Sequence, residues 1–93
     1  NRTALKTIAP YLAHVHISEN DRGTPGDGHV QWDDAFGGLA EINFPGWLTI
    51  EAFSRNDPDF ANAINVWREY SATWDMAVKG LAFIKEQCLK HEL

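Results

Sequence analysis

Two short stretches of the chain alternate apolar with polar residues, and several longer ones repeat their apolar positions at helical spacing. Leu5, Ile8, Ala9 and Leu12 share one helical face. They predict a helix tail over 1–12, interrupted by Pro10, which removes an interior hydrogen bond. Residues 13–18 alternate strictly, with Val15 and Ile17 on one face and His14 and His16 on the other, the signature of a two-faced strand. Glu19 to Gln31 form a long loop containing Gly23, Pro25, Gly26 and Gly28, residues that set turns and stop helices. Residues 32–42 predict a short helix with Asp33 or Asp34 near its start and Phe36, Leu39, Ala40 and Ile42 for burial, weakened by Gly37-Gly38.

After the Pro45-Gly46 turn, residues 47–53 predict a second two-faced strand. Leu48, Ile50 and Ala52 share one side, Thr49, Glu51 and Phe53 the other. A polar loop over 54–59 leads to helices over about 60–70 and 73–91. In the last helix, Trp74, Ala77, Val78, Leu81, Ile84 and Cys88 recur at helical spacing. Strand, helix, strand, helix is the βαβ order of a parallel sheet. Parallel sheets are covered on both faces and need more than two strands, so partner strands are expected from missing sequence or from other copies. A closed barrel of eight such units takes about 250 residues. The expected fold class is therefore α/β: a C-terminal fragment of a (β/α)8 barrel, with two parallel β-strands, their crossover and the C-terminal helices. Residues 1–93 would form one partial domain, the last two βα units.

Composition narrows the function. With 44 % apolar residues the chain has enough apolar surface to fold. Its net charge of −5 opposes nucleic acid and anionic membrane as partners, because both need clustered Lys and Arg. Cys88, the single cysteine, cannot form an internal disulfide, and neither a membrane span nor a leader pattern is visible; a cytoplasmic location is the default. The chain does not begin with Met, and a longer parent protein is expected.

In a closed barrel, Val15, Ile17, Leu48, Ile50 and Ala52 fit the helix-facing side, so that His14, His16, Thr49 and Glu51 point inward. Active sites of such barrels lie at the C-terminal strand ends, where His16 and Glu51 both fall. An imidazole and a carboxylate at one mouth suit a divalent metal such as manganese, cobalt or magnesium, and the carboxylate can also move protons. Taken on pattern alone, a strand histidine more often makes ordinary core or surface hydrogen bonds than it ligates a metal. A glutamate amid Leu48, Ile50, Ala52 and Phe53 needs a partner if buried. Arg22 is either a solvated surface residue or a donor to substrate hydroxyl oxygens. The run Gly23 to Gly28 lacks the Gly-Lys-Ser/Thr of a phosphate cradle and reads as a lid-type turn.

The ordered motifs, His14-Val15-His16-Ile17-Ser18-Glu19-Asn20-Asp21-Arg22, then Pro25-Gly26-Asp27-Gly28 before Trp32, then Trp47 through Phe53, with Val66-Trp67-Arg68, resemble the C-terminal part of the ketose 3-epimerases acting on tagatose or allulose. These are xylose-isomerase-like TIM-barrel sugar isomerases and epimerases. The resemblance implies that His16 and Glu51 bind the metal, that Glu51 is the catalytic residue exchanging a proton with the substrate, and that Arg22 binds the substrate. It also implies that the remaining ligands, a second glutamate and an aspartate, lie on earlier strands, so the ligand set here is incomplete. The expected function of the parent is inversion of a carbon beside a ketose carbonyl, in a sugar or sugar phosphate, through an ene-diolate. Rivals are hydroxypyruvate isomerase, inosose dehydratase and aldose-ketose isomerase activities of the same superfamily, or a catalytically inert, self-associating fragment. A DNA-repair endonuclease shares the fold class, but the acidic charge opposes it.

Overall fold

The alternating stretches become a parallel pair of strands, β1 (His14–Ile17) and β2 (Trp47–Ile50). The structure, a computed structural model, describes residues 2–66 and 73–93. Helix α1 (Arg2–Ile8) precedes β1, α2 (Trp32–Glu41) joins β1 to β2, and α3 (Pro58–Ala63) and α4 (Thr73–His91) follow. Pro10 has the effect expected of it: the α-helix stops at Ile8 and continues only as a 3-10 turn over Ala9–Tyr11.

Register pairs His14 with Trp47, Val15 with Leu48, His16 with Thr49 and Ile17 with Ile50. Period-two alternation then sorts the side chains. Ile17 packs with Phe36 and Ile84 in the core, and Val15, Leu48, Ile50, Trp32, Cys88 and Leu93 pack around them. His14, His16, Trp47 and Thr49 stay exposed on the opposite face. The helices thus cover one side of the sheet. Beyond Ile50 only single bonds continue the ladder, with Glu51 N donating to Ile17 O at 2.9 Å and Phe53 N to Arg22 O at 2.9 Å.

Asparagine ends two helices. Asn43 (φ 51°) and Asn65 (φ 63°) adopt the left-handed conformation, and Phe44 N and Val66 N reach back to Leu39 O and Ala61 O at 3.0 and 2.8 Å. Both are Schellman caps, which satisfy carbonyls the helix leaves open. The helix expected over 60–70 therefore closes at Ala63, after starting at Pro58 with Asp57 Oδ1 accepting Phe60 N at 3.1 Å. Trp67 and Arg68, and with them most of the Val66-Trp67-Arg68 motif, lie outside the described residues.

Two burial expectations change. Gly37 and Gly38 do not interrupt α2; both are buried beneath α1, where a Cβ on Gly37 would run into the Arg2 guanidinium and one on Gly38 would stand 2.7 Å from Leu5 Cδ1. On α4 the buried row is Met76, Gly80 and Ile84, while Trp74, Val78 and Leu81 are exposed. Gly80 sets this choice, because a Cβ there would lie 3.1 Å from Ile50 Cδ1; the helix can approach β2 closely at this one position, between Met76 and Ile84.

Candidate active site

His16 and Glu51 meet at the C-terminal ends of β1 and β2. His16 stands opposite Thr49, and Glu51 lies two residues further along the neighbouring strand on the same face. His16 Nδ1 is 2.7 Å from Glu51 Oε2. An ionised carboxylate only accepts, so the imidazole carries its proton on Nδ1 in this bond, which leaves the Nε2 lone pair free when the ring is neutral. One pair earlier, His14 Nε2 and Thr49 Oγ1 are 2.7 Å apart, and the His14 and His16 rings meet edge-on with centroids 5.2 Å apart. The exposed face of the sheet is therefore a short column of hydrogen-bonded polar pairs.

With its proton in place Nδ1 is not a ligand; a divalent cation displacing that proton would find an imidazole nitrogen and a carboxylate oxygen 2.7 Å apart, near the separation of about 3 Å between two ligands at right angles when bonds are about 2.1 Å. Imidazole nitrogen with carboxylate oxygen suits manganese, cobalt or magnesium better than a thiophilic metal. No cluster of three or more His, Cys, Asp or Glu ligands occurs among the described residues.

Arg22 sits on the loop after β1 with its backbone in the left-handed region (φ 65°). Its N–H donates to Glu19 O at 3.1 Å and its carbonyl accepts from Phe53 N. Its guanidinium lies over the Phe53 ring, 5.7 Å from the centroid, a cation–π contact. Arg22 is thereby tied to the segment that carries Glu51. With Asn20, Asp21, Asp27, Gly28, His29, Ile64 and Asn65 it lines an open cleft of about 540 Å³.

Glu19, the first residue of the loop and a member of the His14–Arg22 motif, takes a part that the sequence pattern does not assign to it. Glu19 is 4 % exposed, and its carboxylate accepts from the backbone N–H of Asn20, Gly26 and Val30 and from Trp32 Nε1, at 3.3, 2.9, 3.0 and 2.7 Å. Burial alone pushes its pKa up. The Trp32 bond and the Val30, Gly26 and Asn20 amides outweigh that and hold the carboxyl below the usual glutamate range. The loop itself is no free lid: Gly23, Thr24 and Pro25 are buried, and a Cβ on Gly26 would lie 2.9 Å from the Phe83 ring. The available signal was a lone acidic residue directly after a strand, ahead of a loop full of unpartnered N–H groups.

A parallel pair, covered by helices on one face and lined with an imidazole–carboxylate couple on the other, defines a piece of an α/β barrel. The sequence profile described as Xylose isomerase-like TIM barrel matches residues 1–87, and the chain belongs to that family. It is 35 % identical over 74 residues to the probable ketose 3-epimerase of Synechocystis sp. (strain ATCC 27184 / PCC 6803 / Kazusa), covering 78 % of this chain and 26 % of that protein. An inosose dehydratase of Clostridium botulinum (strain Eklund 17B / Type B) is 43 % identical over 63 residues, 68 % of this chain and 17 % of the relative. The crystal structure of the D-allulose 3-epimerase from Methylomonas sp. in complex with D-allulose superimposes with a TM-score of 0.81 at 35 % identity, covering 92 % of this chain and 31 % of that one. The chain thus spans less than a third of each of these proteins. Among the described residues, no helix is long and apolar enough to cross a membrane.

Proposed function

We propose that this chain supplies the last two βα units of a divalent-metal-dependent ketose 3-epimerase, acting in the cytoplasm on a sugar or sugar phosphate. The observation that carries the reading is the 2.7 Å approach of His16 Nδ1 and Glu51 Oε2 at the ends of adjacent parallel strands. His16 and Glu51 would hold the metal, with manganese, cobalt or magnesium matching their donor types; when bound, it supplies Lewis-acid polarisation of the ketose carbonyl and neighbouring hydroxyl. The other ligands belong to the rest of the barrel.

Glu51 has the chemistry for the proton step. Its carboxylate accepts the proton from the carbon beside the carbonyl, leaving an ene-diolate. A single carboxylate that returned this proton to the same face would regenerate the starting sugar. Inversion therefore calls for a second acid/base group on the opposite face, expected outside this chain. Before a metal binds, the His16 hydrogen bond keeps the Glu51 carboxylate oriented, and Arg22 donates to substrate hydroxyl oxygens through its fixed fork of N–H groups.

The decisive experiment uses the complete protein with D-allulose in heavy water. Glu51→Gln should slow exchange of the carbon-bound hydrogen by about 10²–10⁴-fold; exchange at the parent rate removes Glu51 from the proton step. The identity to inosose dehydratase over 63 residues supports a second reading, in which the same couple serves loss of water from a cyclic ketone. Product analysis separates the two, since dehydration changes the substrate's mass by one water and epimerisation leaves it unchanged.

As a separate chain, residues 1–93 would either join the remaining strands of a barrel or associate with other copies through the open strand edges.

A further inference from the structure

Resting on the reading of Arg22 as a substrate contact, we infer that Glu19 is the positioning residue of this site: its carboxylate shapes the loop over 20–31 so that Arg22 is presented to the sugar. Four donors converge on it, from positions one, seven, eleven and thirteen residues further along: Asn20 N, Gly26 N, Val30 N and Trp32 Nε1. A carboxylate offers about four lone-pair sites and no donor, so every acceptor position is used. Glu19 follows β1 by two residues and is buried at 4 % exposure; it is fixed to the same strand as His16.

The rest of the loop is closed by the same device. Asn20 Oδ1 accepts His29 N at 2.7 Å and Asp21 Oδ1 accepts Gly23 N at 3.1 Å, where a strand or helix would use backbone carbonyls. Gly28 lets the returning chain pass, since a Cβ there would stand 2.5 Å from Glu19 Cγ. Arg22 is then held at both ends of its backbone unit. Its N–H bonds the carbonyl of Glu19 and its own carbonyl receives Phe53 N, while its guanidinium rests over Phe53. Without the carboxylate, three backbone N–H groups and an indole N–H lose their acceptor, and the turn that aims Arg22 loses its anchor.

Glutamine has the same shape but replaces one oxygen with an amide nitrogen that donates, so two of the four N–H donors would face another donor instead of an acceptor. In the complete protein, Glu19→Gln should raise KM for D-allulose about tenfold, leave kcat within about threefold, and leave Mn²⁺ affinity within about twofold. On an Arg22→Ala background it should add less than about twofold, because both changes remove the same contact. A kcat loss at unchanged KM, or effects that multiply in full with Arg22→Ala, overturns the inference. Trp32→Phe keeps the ring and deletes one donor; it should raise KM about threefold with the same non-additivity, and it decides the question if Glu19→Gln does not fold. Arg22→Ala with an unchanged KM refutes the role of Arg22 and this inference with it. A raised KM in Arg22→Ala, with none in Glu19→Gln or Trp32→Phe, overturns the inference alone.

Discussion

Glu19 illustrates how one side chain can substitute for secondary structure. Its lowered pKa also gives the loop a pH dependence whose sign is fixed. A carboxyl held below its unfolded value contributes stability that is fully present above the ordinary glutamate range and is lost as pH falls through the lowered value. An unfolded glutamate titrates near about 4.3, so the loop should hold at neutral pH and loosen only below that. Amide hydrogen exchange at Gly26 and Val30 should accelerate there relative to the core amides, and Glu19→Gln should abolish the dependence. Acceleration already between pH 5 and 7 would mean that another group controls the loop.

At the scale of elements, glycine decides how closely the layers approach. Two contact sites, Gly46 and Gly37, differ in what an added methyl would strike. At Gly46, just before β2, a Cβ would meet the Ala13 carbonyl oxygen and the buried Phe44 ring, both at 2.5 Å. Neither can swing away, so Gly46→Ala should cost about 1–3 kcal/mol by overpacking. At Gly37 the obstacle is the end of the Arg2 side chain, which is flexible, and alanine gains about 1 kcal/mol of helix propensity. Urea midpoints should therefore fall clearly for Gly46→Ala and barely move for Gly37→Ala; the reverse order would contradict this account of the packing. The glycine pair in α2 looked like a weakness by propensity alone. In the fold it is the seat of α1.

Across the whole molecule, one face of the sheet is covered and the other is open. Among the described residues the sheet holds two strands, leaving an unpaired edge on each, and Trp47 stands 79 % exposed on the open face. On the outside of α4, Trp74 is 77 % exposed, and Val78, Leu81 and Leu89 are exposed further along the helix. Unpaired strand edges and apolar surface of this kind favour association. Residues 1–93 produced as a separate chain should show light scattering that rises steeply with concentration and binds Mn²⁺ weakly. A monodisperse monomer at high concentration would show that the open edges are tolerated.

The face assignment of both strands followed from the letters alone, because a period of two leaves only one way to bury Val15, Ile17, Leu48 and Ile50 together. It also put His16 and Glu51 on one side, and the parallel order followed from the helix between them. Local rules reached less far where two stripes competed, as on α4, whose apolar residues cover more than one face; Gly80 against Ile50 selected the buried row. They stopped short at Asn65 as well, since an asparagine in the left-handed conformation reads as an ordinary polar residue until the cap it forms is seen. The convergence of four donors on Glu19 was out of reach, because it joins positions up to thirteen residues apart with no periodicity between them. Sequence determined which side chains share a face, a matter of local backbone geometry; tertiary structure determined which of them meet, since that depends on how the loop folds back on itself.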